Sequence, residues 1–163
     1  MFRIGLGEDS HRTAAGGPMV LGGIEIPHDH HLVGHSDADV LLHALTDAVL
    51  GAAGLPDIGE LFPNTAEENR DRNSADFLTA AYAKVREAGF RLVNADCVVA
   101  AQAPKLSPYK DAMRHRIAGL LGASPLDIGI KAKTGEEVGP VGRGEAIEAR
   151  AVVLVERSMS PHT

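Results

Sequence analysis

Asp9 and His11 stand two residues apart in GEDSH, directly after the apolar run FRIGL. On an extended segment, residues i and i+2 point to the same side, so the two side chains would present ligand atoms together. His43 lies in the middle of HSDADVLLHALTDA, a stretch with helical periodicity. Asp9, His11 and His43 make a two-histidine, one-carboxylate set. Such a set suits zinc with a position left open for substrate. Hydrogen-bonded histidines beside a turn aspartate would give the same residues at the same spacing, so spacing alone leaves both readings open.

The element that must carry His43 runs from Gly34 to Gly51. Ser36, followed three residues later by Asp39, predicts a helix start of the capping-box kind, with Asp37 and Asp39 adding favourable negative charge to the first turn. Val40, Ala44, Ala48 and Gly51 recur at helical spacing and predict a tight packing stripe. Asp39, His43 and Asp47 are each four residues apart and share one face. Burying three ionisable groups unpaired is costly, and a metal ion with Asp39 and Asp47 in supporting roles would explain them.

Around this helix the chain predicts a strand over Phe2–Leu6, a turn at Ala14–Gly17 and either a hairpin or a strand with a bulge over Met19–Ile26. The helix should stop near Ala53, ahead of Gly54 and Pro56. Asp57 to Asn73 reads as loop. A second helix, capped by Asn73 or Ser74, should run to Gly89 with Phe77, Leu78, Ala81, Val85 and Ala88 on one face. Arg91–Gln102 reads as a strand buried on both faces. Ser107 should cap a third helix with Pro108 at its first position, ending at Leu121. A strand over Ile128–Thr134, a glycine-rich loop over Gly135–Gly144 and a last strand over Ile147–Arg157 complete the chain. The last strand carries apolar residues on both faces, which points to an oligomer. Four main strands with interleaved helices predict a small α/β or α+β domain.

The 163 residues suffice for one domain with a core, expected over 1–157, with a disordered tail over 158–163. A net charge of −6 argues against general nucleic-acid binding, which needs a basic surface. An anionic substrate would have to be met by local positive charge. Cys97 is the single cysteine and sits in an apolar run, so it reads as a small buried hydrophobe. Its solitude fits a reducing cytoplasm. The start of the sequence shows no apolar signal region, and no stretch reaches the ~20 apolar residues of a membrane span. His28, Asp29, His30 and His31 follow Pro27 and read as a solvated loop, because four adjacent residues do not converge on one ion without an unusual backbone.

Five motifs in order, GEDSH, HSDADVLLHALTDA, DIGELFP, AQAPK and the KAKT…E…GRGE block at 131–145, give the chain its wider likeness. It resembles the 2-C-methyl-D-erythritol 2,4-cyclodiphosphate synthase family of the non-mevalonate isoprenoid pathway over nearly its whole length. The resemblance implies a four-stranded mixed sheet with helices on one side. It implies a homotrimer that packs its sheets around a threefold axis, with active sites between neighbouring subunits. The implied reaction closes a ring: the 2-phosphate of 4-diphosphocytidyl-2-C-methyl-D-erythritol 2-phosphate attacks the β-phosphorus and CMP leaves.

On this resemblance Asp9, His11 and His43 hold zinc, and Glu136 holds a Mg²⁺ or Mn²⁺ bridging the α- and β-phosphates. Thr134 hydrogen-bonds the phosphates. His35 and Ser36 belong to a mobile segment over the methylerythritol phosphate, and Asp57, Ile58 and Gly59 to the pocket for the erythritol hydroxyls. Ala101, Pro104, Lys105, Leu106 and Ala132 form the cytidine pocket. Arg143 is retained, and Lys133 stands where the family commonly has a threonine. Glu8 and Pro140 replace phenylalanines that line an axial cavity in some members, and Arg150 replaces their glutamate. Isoprenoid diphosphate binding there is not expected. Two other classes compete: a zinc phosphohydrolase using metal-bound water on the same triad, and a non-enzymatic metal-binding protein using HDHH. Neither needs the APK and GRGE motifs.

Overall fold

The sheet is built outward from strand β7, Ala146–Arg157, whose side chains alternate between a buried row (Ile147, Ala149, Ala151, Val153, Val155) and a row open to solvent or half-buried. This computed structural model describes residues 1–63 and 65–158. On one side of β7 runs β1, Phe2–Ala15, and on the other β5, Phe90–Ala100, both antiparallel to it. β6, Ile128–Lys133, joins β5 in parallel.

β1 is far longer than the Phe2–Leu6 strand expected, because both its edges find partners. Phe2 to Arg12 pairs with β7, and Thr13 to Ala15 pairs with a short strand β4, His30–Leu32. The sheet therefore has five strands, in the order β4-β1-β7-β5-β6, rather than four. The HDHH segment is accordingly not all loop, since His30 and His31 form part of an edge strand. Between β1 and β4 lies a hairpin, β2 (Met19–Leu21) and β3 (Ile24–Ile26), turning at Gly22 and Gly23.

Helices α1 (Val40–Ala53), α3 (Ser74–Glu87) and α4 (Lys110–Leu121) cover one face of the sheet. Short helices α2 (Ile58–Leu61) and α5 (Gly139–Gly142) lie in segments expected to be loop. Asp57 caps α2 by accepting the Glu60 N–H at 2.9 Å. α1 starts at Val40, later than expected. Ala38 takes a left-handed conformation (φ 58°), which bars a helix start at Ser36. Asp39 is the cap instead, accepting the Leu42 N–H at 3.0 Å. Asn73 caps α3, and Tyr82 rather than Ala88 completes its buried face. Ser107 belongs to a 3₁₀ turn ahead of α4 and makes no cap.

Among the described residues, α1, α3 and α4 leave the opposite sheet face uncovered. Ile4 is 71% and Leu6 65% exposed. They pair in register with Leu154 and Val152, so the apolar surface is continuous across β1 and β7. β5 is likewise buried on one face only, with Ala95, Cys97 and Val99 inward and Asn94 and Asp96 outward. Ser158 donates its N–H to the Gly89 carbonyl at 2.8 Å, and the rest of the tail expected to be disordered lies outside the described residues. Among the described residues no helix is long and apolar enough to cross a membrane.

Candidate metal centre

Gly5 and Gly7 of β1 sit under the backbone of α1 at Ala44, Ala48 and Ala52. Without a Cβ at either position, the helix lies directly on the strand. The next two inward positions on β1 are Asp9 and His11, and the residue before Ala44 is His43. Close packing thus delivers the three side chains to one point.

Asp9 Oδ2 lies 2.9 Å from His11 Nε2 and 3.1 Å from His43 Nδ1, and the two nitrogens are 3.2 Å apart. A tetrahedral zinc ion with bonds of about 2.0–2.1 Å spaces its ligand atoms roughly 3.3 Å apart. The three atoms therefore form one face of such a site, and the residues fit the metal. The His11 tautomer is also fixed. Its Nδ1–H donates to the Val33 carbonyl at 2.9 Å, which turns the Nε2 lone pair toward the cluster. Without a metal ion, burial would raise the Asp9 carboxyl, but hydrogen bonds and charge from protonated His11 and His43, whose cluster-facing protons a metal would displace, hold it well below the usual carboxylate range. Burial lowers the His11 imidazole, but Asp9 outweighs it and the net shift is upward.

The corner opens into a cleft of about 220 Å³. Its walls include His35, Ser36, Asp47, Ile58, Gly59, Phe62 and Phe77, so His35, Ser36, Ile58 and Gly59 of the residues assigned to the methylerythritol end gather beside the metal corner, whereas Asp57 is not part of the lining and caps α2. His35 Nε2 donates to the Ala66 carbonyl at 3.4 Å. Asp47 accepts the Ile58 N–H at 2.8 Å and thereby holds α2 against α1. Asp39 turns away from the cleft. It is fully buried and accepts the N–H groups of Gly22 and Gly23 at 2.9 and 2.6 Å as well as that of Leu42. Burial pushes its carboxyl above the usual range, opposed by these three donors. Asp39 and Asp47 therefore tie elements together and do not orient the His43 ring. Its Nε2 faces Ser74 and Ser36 instead. Ser74 was missed as a site residue because its capping position before an apolar helix gave a sufficient reason for a serine.

The residues assigned to cytidine and phosphates form a second group. Ala101 donates its N–H to the Lys133 carbonyl at 2.9 Å, joining the β5 and β6 exits, and Gln102 Oε1 accepts the Gly135 N–H at 3.2 Å. Leu106 is buried, Lys105 and Lys133 are exposed, and an Ala103–Pro104 cis bond lies in this loop. Thr134 Oγ1 donates to Glu136 Oε1 at 2.9 Å, and Glu136 and Glu137 both take left-handed backbone conformations. Arg143 forms a paired contact with Glu145 at 2.9 and 3.1 Å.

Asp9, Ala149, Val99 and Ala132 occupy one row across four strands. Three strand spacings amount to roughly 14 Å, so the two groups stand well apart within one chain. His28, Asp29 and His30 also bring ligand atoms together, but Asp29 is 83% exposed at its side chain and simply accepts from His30 Nδ1 at 2.8 Å.

A mixed sheet with helices on one face, and an Asp–His–His corner at the mouth of a polar cleft, define an α/β domain with a candidate transition-metal centre. The YgbB family model matches residues 2–156, and the chain belongs to that family. It is 54% identical to the 2-C-methyl-D-erythritol 2,4-cyclodiphosphate synthase of Rhodopirellula baltica, covering 96% of this chain and 94% of that one. It is 52% identical to the synthase of Geobacillus kaustophilus, over 97% and 100% of the two chains. Among solved structures, a CDP-bound 2C-methyl-D-erythritol-2,4-cyclodiphosphate synthase superposes with a TM-score of 0.88 at 41% identity, covering 94% of this chain and all of that one. The bifunctional IspDF of Campylobacter jejuni gives 0.93 at 44% identity, over 96% of this chain but 42% of that longer one.

Proposed function

We propose that the Asp9–His11–His43 corner is the reaction centre of a cyclodiphosphate synthase. The chain converts 4-diphosphocytidyl-2-C-methyl-D-erythritol 2-phosphate to 2-C-methyl-D-erythritol 2,4-cyclodiphosphate and releases CMP. The observation that carries the reading is the set of three ligand-atom separations, all between 2.9 and 3.2 Å, in the wall of a cleft.

Zinc held by these three residues would supply a Lewis acid to the β-phosphate, and a Mg²⁺ or Mn²⁺ held by Glu136 would offset charge on the diphosphate. The protein's own task is positioning. The nucleophile is an anionic phosphate oxygen, so no strong base is required, and the barrier lies in bringing two anions together. His35 and Ser36 hold the methylerythritol phosphate, and Asp57, Ile58 and Gly59 the hydroxyls. Thr134, Lys133 and Arg143 provide donors and positive charge for the phosphates. Ala101, Pro104, Lys105, Leu106 and Ala132 receive the cytidine, in keeping with the CDP in the solved relative.

Residues 1–157 act as one domain, and the active unit is a homotrimer in the cytoplasm. The bare apolar sheet face supports trimer formation. The separation of the metal corner from the Ala132–Glu136 group supports a site completed by a neighbouring subunit. Metal analysis coupled to CMP release tests the assignment. One zinc per chain and zinc-dependent CMP release, both lost in His43→Ala, are expected. Unchanged zinc content in His43→Ala would refute it.

A further inference from the structure

The two nitrogens of His43 face different worlds. Nδ1 points to Asp9 and His11. Nε2 points into the protein, 2.7 Å from Ser74 Oγ and 3.2 Å from Ser36 Oγ. Ser74 is fully buried, and its hydroxyl has a second, very short contact with Asp37 Oδ1. A carboxylate only accepts, so the single hydroxyl proton of Ser74 goes to Asp37. Ser74 Oγ must then accept from His43, and His43 carries its proton on Nε2. That leaves the Nδ1 lone pair for the cluster.

Asp37 is itself fixed on several sides. Its Oδ2 accepts the Ser74 N–H at 3.0 Å, its Oδ1 the Asp39 N–H at 3.2 Å, and its own N–H donates to the Arg72 carbonyl at 3.2 Å. A half-buried chain of hydrogen bonds therefore runs from the ring, which donates to the Ser74 hydroxyl, to the Asp37 carboxylate, which accepts from that hydroxyl.

We propose that Asp37 and Ser74 are positioning residues for the metal centre: through Ser74 Oγ, the Asp37 carboxylate fixes the tautomer and orientation of His43 and strengthens its Nδ1 as a ligand. The proposal rests on the reading of His43 as a metal ligand. Partners of this kind on a ligating histidine typically change metal affinity by about 10–100-fold when removed. Ser36 Oγ, at 3.2 Å and also accepting the Ala38 N–H, is the weaker neighbour of Nε2.

The test compares wild type, Ser74→Ala, Asp37→Asn, the double variant and His43→Ala. Zinc affinity is measured by chelator competition, and the cobalt-substituted proteins are read by visible absorption. Each single variant should weaken zinc by about 10–100-fold and alter the cobalt bands. The double variant should be no weaker than Ser74→Ala, because both changes break one chain. Wild-type affinity and spectrum in either single variant, with His43→Ala binding no metal, would overturn the relay and leave the metal centre standing. So would fully additive losses. Wild-type affinity in His43→Ala would instead overturn the metal-centre reading. Should Ser74→Ala fail to fold, Asp37→Asn, which keeps side-chain shape, reads the same link.

Discussion

Gly7 lies directly beneath the carbonyl of Ala44: a Cβ on Gly7 would sit 1.9 Å from that oxygen. This contact sets how near α1 approaches β1, and so how near His43 comes to Asp9. Gly7→Ala should force strand and helix apart, costing about 1–3 kcal/mol or more by overpacking, and should weaken metal binding along with it. Gly51 on the same helix has nothing within 4 Å of a built Cβ. Gly51→Ala should therefore stabilise by roughly 0.5–1 kcal/mol through helix propensity. Urea unfolding of both variants, with zinc content of the first, checks the pair. A Gly7→Ala protein as stable as wild type would contradict the packing account.

Asp39→Ala should be among the more damaging single changes. It removes the α1 cap and leaves the buried Gly22 amide without its acceptor. An orphaned buried donor costs about 1–3 kcal/mol and a lost cap about 1 kcal/mol. The loss should appear in urea unfolding of the metal-free protein, since Asp39 lies away from the cleft. A loss confined to the zinc-loaded form would mean that Asp39 serves the metal after all.

Much of this arrangement was legible in the sequence, for stated reasons. The i, i+2 spacing of Asp9 and His11 and the helical placement of His43 are local facts, and the structure brings these three side chains together. The small-residue stripe of α1 was also visible, although its real members are Ala44, Ala48 and Ala52 rather than Gly51. What the sequence hid depends on tertiary contact. Asp39, His43 and Asp47 share a helical face by spacing, yet each meets a different neighbour: the Gly22–Gly23 turn, the metal corner and the Ile58 amide. The left-handed turn at Ala38, which moves the helix start from Ser36 to Asp39, carries no glycine to announce it. The fifth strand was hidden because His30 and His31 read as solvated residues, and only the overrun of β1 gives them a partner.

Cys97 should be chemically silent in the folded protein. Burial, reinforced by the Asp96 charge and opposed by Lys131, pushes its thiol up to about 12. The thiolate is the reactive form, and at pH 8.5 it is scarce in the native state but abundant in the unfolded chain, whose ordinary thiol titrates near 8.5. Alkylation by iodoacetamide at pH 8.5 should be negligible without denaturant and complete in urea. Rapid labelling of the native protein would contradict the burial of this face of β5.

The shared-site proposal makes a prediction about mixtures. His43→Ala and Glu136→Ala should each be inactive alone. Trimers re-formed from both should regain activity, because some interfaces then pair an intact metal corner with an intact Glu136 loop. Leu6→Asp on the bare sheet face should dissociate the trimer and abolish turnover, as read by sedimentation and CMP release. No recovery in verified mixed trimers would place both halves of the site in one chain.

The most direct measurement is phosphorus NMR of the products formed from 4-diphosphocytidyl-2-C-methyl-D-erythritol 2-phosphate by the purified protein with zinc and magnesium. CMP and 2-C-methyl-D-erythritol 2,4-cyclodiphosphate should form in equal amounts, with both absent in His43→Ala. CMP accompanied by a linear phosphate product would show water as the nucleophile and contradict the cyclisation.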